Sequence, residues 1–205
     1  MSFNHKSLRA ALLISATAAT LFAAGCGSDD STHPRHASTP TTVTTTSVPA
    51  SSVAQHNSAD VMFNQMMIPH HSQALEMAAL VDSRTTTPAV RQLAASIRTA
   101  QQPEIDQMTA RLKAWGQPTE MSGGHGGHRM SGMMSDADMT ELTAARGTEF
   151  DRKWLSMMVR HHEGAVAMAD AELTDGVDAG SRTLAAAIKT AQLAEIARMN
   201  TLLGK

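Results

Sequence analysis

Two short stretches hold most of the side chains in this chain that could do chemistry. They are Met66-Met67-Ile68-Pro69-His70-His71 and, 91 residues later, Met157-Met158-Val159-Arg160-His161-His162. Each puts two thioethers ahead of two imidazoles, with Met66, Met67, Met157 and Met158 standing four residues before His70, His71, His161 and His162. Residues four apart share a helix face, so each pair can offer a sulfur and an imidazole to one ion. Thioether with imidazole suits Cu(I), and imidazole with carboxylate also tolerates Cu(II). For any single methionine, core filling is the plainer reading. The repetition together with histidine favours metal, with copper first and another transition metal as an alternative.

The 91-residue offset continues well beyond these stretches. About 20 of the 53 positions from Asp60 to Leu112 are identical to their offset partners, among them Gln101/Gln192, Glu104/Glu195 and Met108/Met199. A unit this long, present only twice, reads as a duplicated half-domain. Cap and breaker residues place the elements. Asn57 with Asp60 starts a helix over about 58–82, and Thr148 with Asp151 starts its copy over about 149–174. Thr87 followed by Pro88 starts the helix that Gly116 stops, and Asp178 starts the last one, about 179–203. Ser135 through Asp138 to Ala145 forms a short extra helix. Pro69 and Pro103 fall inside helices and are expected to kink them.

Each half is thus a helical hairpin with one apolar stripe. Two such hairpins bury their stripes as an all-α, antiparallel four-helix bundle. On the helical wheel His70 and His161 fall near the middle of their stripes, and His71 and His162 on the flanks. Gln101, Glu104, Gln192 and Glu195 lie on the facing stripes. Folding each hairpin at its turn sets residue 70 level with about 100 and residue 66 with about 104. A polar layer of His70, His161, Glu104, Glu195, Gln101 and Gln192, edged by methionine, follows. Glu104 and Glu195 would serve as ligands or as acceptors fixing the imidazole tautomers. A self-satisfied hydrogen-bond network is the bland account of the same layer.

Between the halves, residues 117–135 hold a loop rich in His, Met and Gly, with His125 and His128 spaced by two glycines and followed by Met130, Met133 and Met134. Short His-rich tracts bind metal, and a flexible loop gives these methionines no packing reason. Upstream, residues 26–56 are dominated by Ser, Thr, Pro and Ala and read as a flexible tether. His33, His36 and His56 on it read as solvated. Residues 1–25 read as an export signal ending in small residues directly before Cys26, the only cysteine. That ending resembles a bacterial lipobox and implies cleavage and lipidation at Cys26, although Leu21 lies further upstream than usual. The expected product is exported and lipid-anchored at the outer face of the cell membrane or in the periplasm. A bundle domain over 57–205 follows the tether.

Composition narrows the alternatives. The net charge of −2 gives no basic footprint for nucleic acid. One cysteine excludes an intramolecular disulfide and any thiolate cluster. Gly123 to Gly127 follows no strand and lacks a Lys, so it is no phosphate loop, and no nucleophile–base pair points to a hydrolase.

The combination of Met-Met-x-x-His-His, Ala and Met a turn or two later, and Gln-x-x-Glu-Ile-x-x-Met resembles the domain-of-unknown-function family 305, over about residues 57–204. The resemblance implies a ferritin-like four-helix bundle, with copper binding and tolerance outside the cytoplasm in some members. A di-iron carboxylate enzyme would need Glu-x-x-His on two helices. Neither motif-bearing helix has one, and Glu163 directly follows His162. The leading expectation is a copper-binding, buffering or tolerance protein. A redox metalloenzyme and a metal-free structural or partner-binding envelope module are the rivals.

Overall fold

A computed structural model of the chain describes residues 55–121 and 130–205. The expected signal peptide, Cys26, nearly all of the tether, and His125 and His128 of the loop lie outside these residues. The described part is helical: α1 (Ser58–Arg84), α2 (Pro88–Ala114), α3 (Asp136–Ala144), α4 (Gly147–Asp175) and α5 (Ala179–Leu203).

Local chemistry sets most of the boundaries. Asn57 accepts from the backbone N–H groups of Ala59 and Asp60 at 2.8 and 3.1 Å, and Asp60 accepts from the Asn57 N–H at 2.7 Å. This is the reciprocal capping box expected for α1. Ser135 and Asp138 build the same box for α3. Asp178 caps α5 by accepting from Ser181 N–H at 2.7 Å. Gly116, at φ 66°, ends α2 in the left-handed region where glycine pays no steric penalty.

One cap differs from expectation. Helix α4 begins at Gly147, two residues before the anticipated start, with Arg146 as an N-cap that makes no side-chain cap bond. The Arg146 guanidinium instead turns back onto the carbonyls of Thr143, Ala144 and Ala145, closing α3. Asp151, freed from capping, accepts the Thr87 hydroxyl at 2.5 Å across the bundle. Both interior prolines sit on exposed positions of uninterrupted helices.

Helices α1 and α2 pack as one hairpin and α4 and α5 as the other. The hairpins join mainly along α1 and α4, while α2 and α5 meet only marginally. The expected all-helical bundle of two hairpins is therefore present, with the two motif-bearing helices at its centre. Two apolar clusters fill it. One contains Met77, Leu93, Ile97, Phe150, Trp154 and Met158. The other contains Phe63, Met67, Met108, Ala165, Leu184 and Ile188. Along α1 the chain passes from Met67 in the second cluster to Ala74 in the first, and α4 runs from Met158 in the first to Ala165 in the second. The histidines occupy the level between them. Among the described residues no helix is long and apolar enough to cross a membrane.

Candidate metal centre

His70, His71, His161 and His162 are all fully buried. His70 and His161 meet across the α1–α4 seam with ring centroids 3.8 Å apart and planes tilted by 37°. His71 and His162 turn the other way, each toward the second helix of its own hairpin. His71 Nε2 lies 2.7 Å from Glu104 Oε2, and His162 Nε2 lies 2.7 Å from Glu195 Oε2. The expected polar layer forms, with two differences.

The first difference concerns the flank. His71 and His162 are as buried as the central pair, because α1 and α4 each pack on two neighbours and so need an apolar face wider than one stripe. The second is the register. Glu104 pairs with His71, five residues along α1 from residue 66, the level expected for it, and keeps 16% of its side chain exposed. Glu195 behaves alike at 19%. The cost of a buried, unpaired carboxylate therefore does not arise. Glu104 also lines an open groove of about 540 Å³ between α2 and α5, beside Arg111 and Leu184.

These hydrogen bonds set the chemistry of the outer imidazoles. A carboxylate only accepts, so Nε2 of His71 and of His162 carries the proton. In the neutral ring that leaves Nδ1 with its lone pair. Neither Nδ1 has a hydrogen-bond partner, and neither nitrogen of His70 or His161 has one. The side-chain amides of Gln101 and Gln192, buried at the same level, are also unpartnered. Buried polar groups are rarely left so.

Burial is the main force on the inner pair. It pushes His70 down to about 3, helped by the nearby His71 and His162; the Ser131 backbone pulls weakly the other way without completing a hydrogen bond. His161 is likewise held well below its ordinary value by burial, then by His70, His162 and His71. Both rings are neutral at physiological pH, the protonation state a metal requires.

The methionines of the motifs surround this level. Met67 lies in one apolar cluster, Met157 and Met158 in the other, and Met66 is half-buried. Among the described residues no three His, Cys, Asp or Glu side chains converge as an ion-binding set.

The end of the interhairpin loop contributes something the sequence did not suggest. Gln73 clamps the Met134 backbone, donating to its carbonyl at 2.9 Å and accepting from its N–H at 2.7 Å. Gly164, the offset partner of Gln73, lies under the Ser131 carbonyl, where any Cβ would collide. Gly132, at φ 83°, crosses the α4 backbone beside His161. The two halves thus hold one crossing segment over the inner imidazoles, one by an amide and the other by an absent side chain. The Gln73/Gly164 mismatch was the available signal. Met134 itself is buried in the first apolar cluster and its sulfur faces Arg160 at 3.5 Å, so this loop methionine does have a packing role. His56 is not merely solvated either. Its ring stacks on Trp115 at 4.4 Å and 8°.

Comparison with known proteins follows this geometry. A DUF305 fragment from Deinococcus radiodurans is 36% identical, with a TM-score of 0.67 over 72% of this chain and 97% of that one. A Streptomyces coelicolor DUF305 protein, described as a candidate secreted protein, is 33% identical, with a TM-score of 0.67 over 71% and 92%. CopM in its Cu(II)-bound form is 32% identical, with a TM-score of 0.62 over 71% and 95%, and CopM structures with Cu(I) and with Ag also match. The uncharacterized protein L153 of Acanthamoeba polyphaga mimivirus is 42% identical over 53 residues, which span only 35% of that protein. The domain of unknown function DUF305 matches residues 60–203, and the chain belongs to this family.

Proposed function

We propose that this chain binds copper outside the cytoplasm, buffering it or handing it on, with the ion held at the histidine level of the bundle. One observation carries the reading. Six buried imidazole nitrogens, on His70, His71, His161 and His162, have no hydrogen-bond partner. Such atoms are costly to bury unless something completes them; each neutral ring has one nitrogen with a free lone pair, and a soft or borderline cation takes up those four lone pairs without any deprotonation. Relatives of the same fold bind Cu(I), Cu(II) and Ag, which supports the choice of metal.

In this reading His70 and His161 are the first donors and His71 and His162 the second pair. Met66, Met67, Met157 and Met158 supply thioethers. Glu104 and Glu195 act as acceptors that orient the outer rings. His125 and His128 serve as a capture arm on the loop. Export, the tether of residues 26–56 and lipidation at Cys26 place the bundle at the membrane surface.

Competition for Cu(I) against a coloured chelator tests this. His70→Ala with His161→Ala lowers affinity by more than the about 10–100-fold that loss of an outer partner costs. Glu104→Gln with Glu195→Gln falls within that range. Unchanged affinity in the double His variant, with the fold intact by circular dichroism, sinks the buried site. Loss of binding only when His125 and His128 are replaced makes the bundle a scaffold for the loop.

A further inference from the structure

A second groove, of about 540 Å³, opens where the first turns of α1 meet the segment following α2. Met62, Met121 and His56 line it. Met62 is 51% exposed and Met121 56%, so neither thioether fills core. The groove is held in shape from two sides. Gln65 donates to the Pro118 carbonyl at 2.8 Å, tying the segment that bears Met121 to the helix that bears Met62. The stack of His56 on Trp115 fixes the plane of the imidazole.

Met62 also begins a row. Met62, Met66 and His70 stand at successive four-residue steps, so each lies about 5–6 Å from the next along one side of α1. Their exposure falls from half, through partial, to none. The other half lacks the outer member. Lys153 occupies the position matching Met62 and pairs with Glu141 at 3.1 Å. Soft donors thus reach the surface by this route from α1 and not from α4.

We infer that Met62, Met121 and His56 form a surface acquisition site for a soft monovalent ion, Cu(I) or Ag(I), and that the Met62–Met66–His70 row leads from it to the buried imidazoles. Two thioethers and an imidazole match the preference of Cu(I) for soft and borderline donors. The surface site stands on its own residues; the row rests on the copper reading above.

Ag(I) is the probe, added to the full chain labelled with ¹³C at the methionine methyls. In the wild type the Met62 and Met121 methyl resonances move with the first equivalents. Met62→Leu with Met121→Leu binds one equivalent fewer and keeps the equivalent that His70→Ala with His161→Ala removes. It also fills that inner equivalent about tenfold more slowly or worse, or about 1.4 kcal/mol of barrier. Equal stoichiometry in the leucine variant, or unmoved Met62 and Met121 resonances, overturns the surface site. Normal inner loading in that variant overturns the row alone. If the alanine variant loses no equivalent while the Met62 and Met121 methyls still move, the surface site stands and the buried reading fails.

Discussion

The two ends of the bundle are built from matched positions and have opposite character. At one end Val81, Val90 and Leu155 are buried among apolar neighbours. Ninety-one residues away in sequence, their counterparts at the other end are Glu172, Ser181 and Asn64, all buried and polar. Asn64 donates to Ser181 Oγ at 3.0 Å and to the Asp60 carbonyl at 2.7 Å, and Arg111 approaches it at 3.4 Å. Each end keeps one shared device. Asp151 reaches the N-cap of α2, and Asp60 accepts from the Val177 and Asp178 N–H groups before α5. A duplicated frame can therefore hold its histidine level steady while one end stays oily and the other becomes a polar network.

Glu172 marks the difference most sharply. Burial pushes its carboxyl up to about 8, and the neighbouring Asp60 and the charge of Asp178 add to this, against Arg182. Asp60 moves the other way. Burial alone would raise it, but the N–H groups of Asn57 and Asp178, the Glu172 carboxyl beside it and the Val177 N–H together lower it. At neutral pH the raised Glu172 carboxyl keeps its proton while the Asp60 beside it is ionised.

The contrast can be broken or sharpened in order of size. Trp154 is fully buried in the apolar end and donates from Nε1 to the Met77 carbonyl at 3.0 Å. Trp154→Ala should cost about 3–5 kcal/mol by urea unfolding, with its counterpart Phe63→Ala at the lower edge of that range. A costlier Phe63 would mean the polar end anchors the fold. Glu172→Val, which copies Val81, should stabilise the protein at pH 8 by about 1–3 kcal/mol, since it removes a buried carboxyl group. Destabilisation there would show that the network, and not the apolar frame, holds this end.

The smaller effect is the pH slope. The folded chain binds the Glu172 proton more tightly than the unfolded chain, so the contribution of Glu172 to stability falls as pH rises from 4.5 through about 8 and levels above that. Glu172→Gln should flatten this segment of a stability–pH profile. Asp60 contributes oppositely, its share being present above about 3.8 and lost as pH falls through the lower folded value. His70 and His161, held low by burial, tilt the wild-type profile the other way below about 6.5, so a slope between pH 5 and 8 that Glu172→Gln leaves unchanged would rule out the proton on Glu172.

Much of this was legible beforehand because the signals are local. Caps at Asn57, Ser135 and Asp178 fix helix starts by bonds within three residues, and the offset fixed the hairpin pairing. The polar level followed from helical period and turn position. What escaped depends on which neighbours a face meets. His71 looked like a flank residue because a wheel treats one helix alone, and α1 packs on two. Asp151 looked like a cap, yet Thr87 from the other hairpin claims it. Glu172 and Asn64 drew no attention since nothing local distinguishes a buried acid from a solvated one. The crossing of Ser131 and Gly132 over Gly164 needs a close approach between segments more than thirty residues apart, which no period encodes.

The contact between His70 and His161 has one more consequence. The two rings are the same residue of the same unit, meeting across the seam between the halves. A single hairpin that met another molecule of itself about a rotation axis would bring that one imidazole against its own twin. An isologous homodimer of half-length chains would therefore set the same two imidazoles against each other. Fusing the halves into one chain adds freedom: the unit with Met62 and the unit with Lys153 no longer have to be alike.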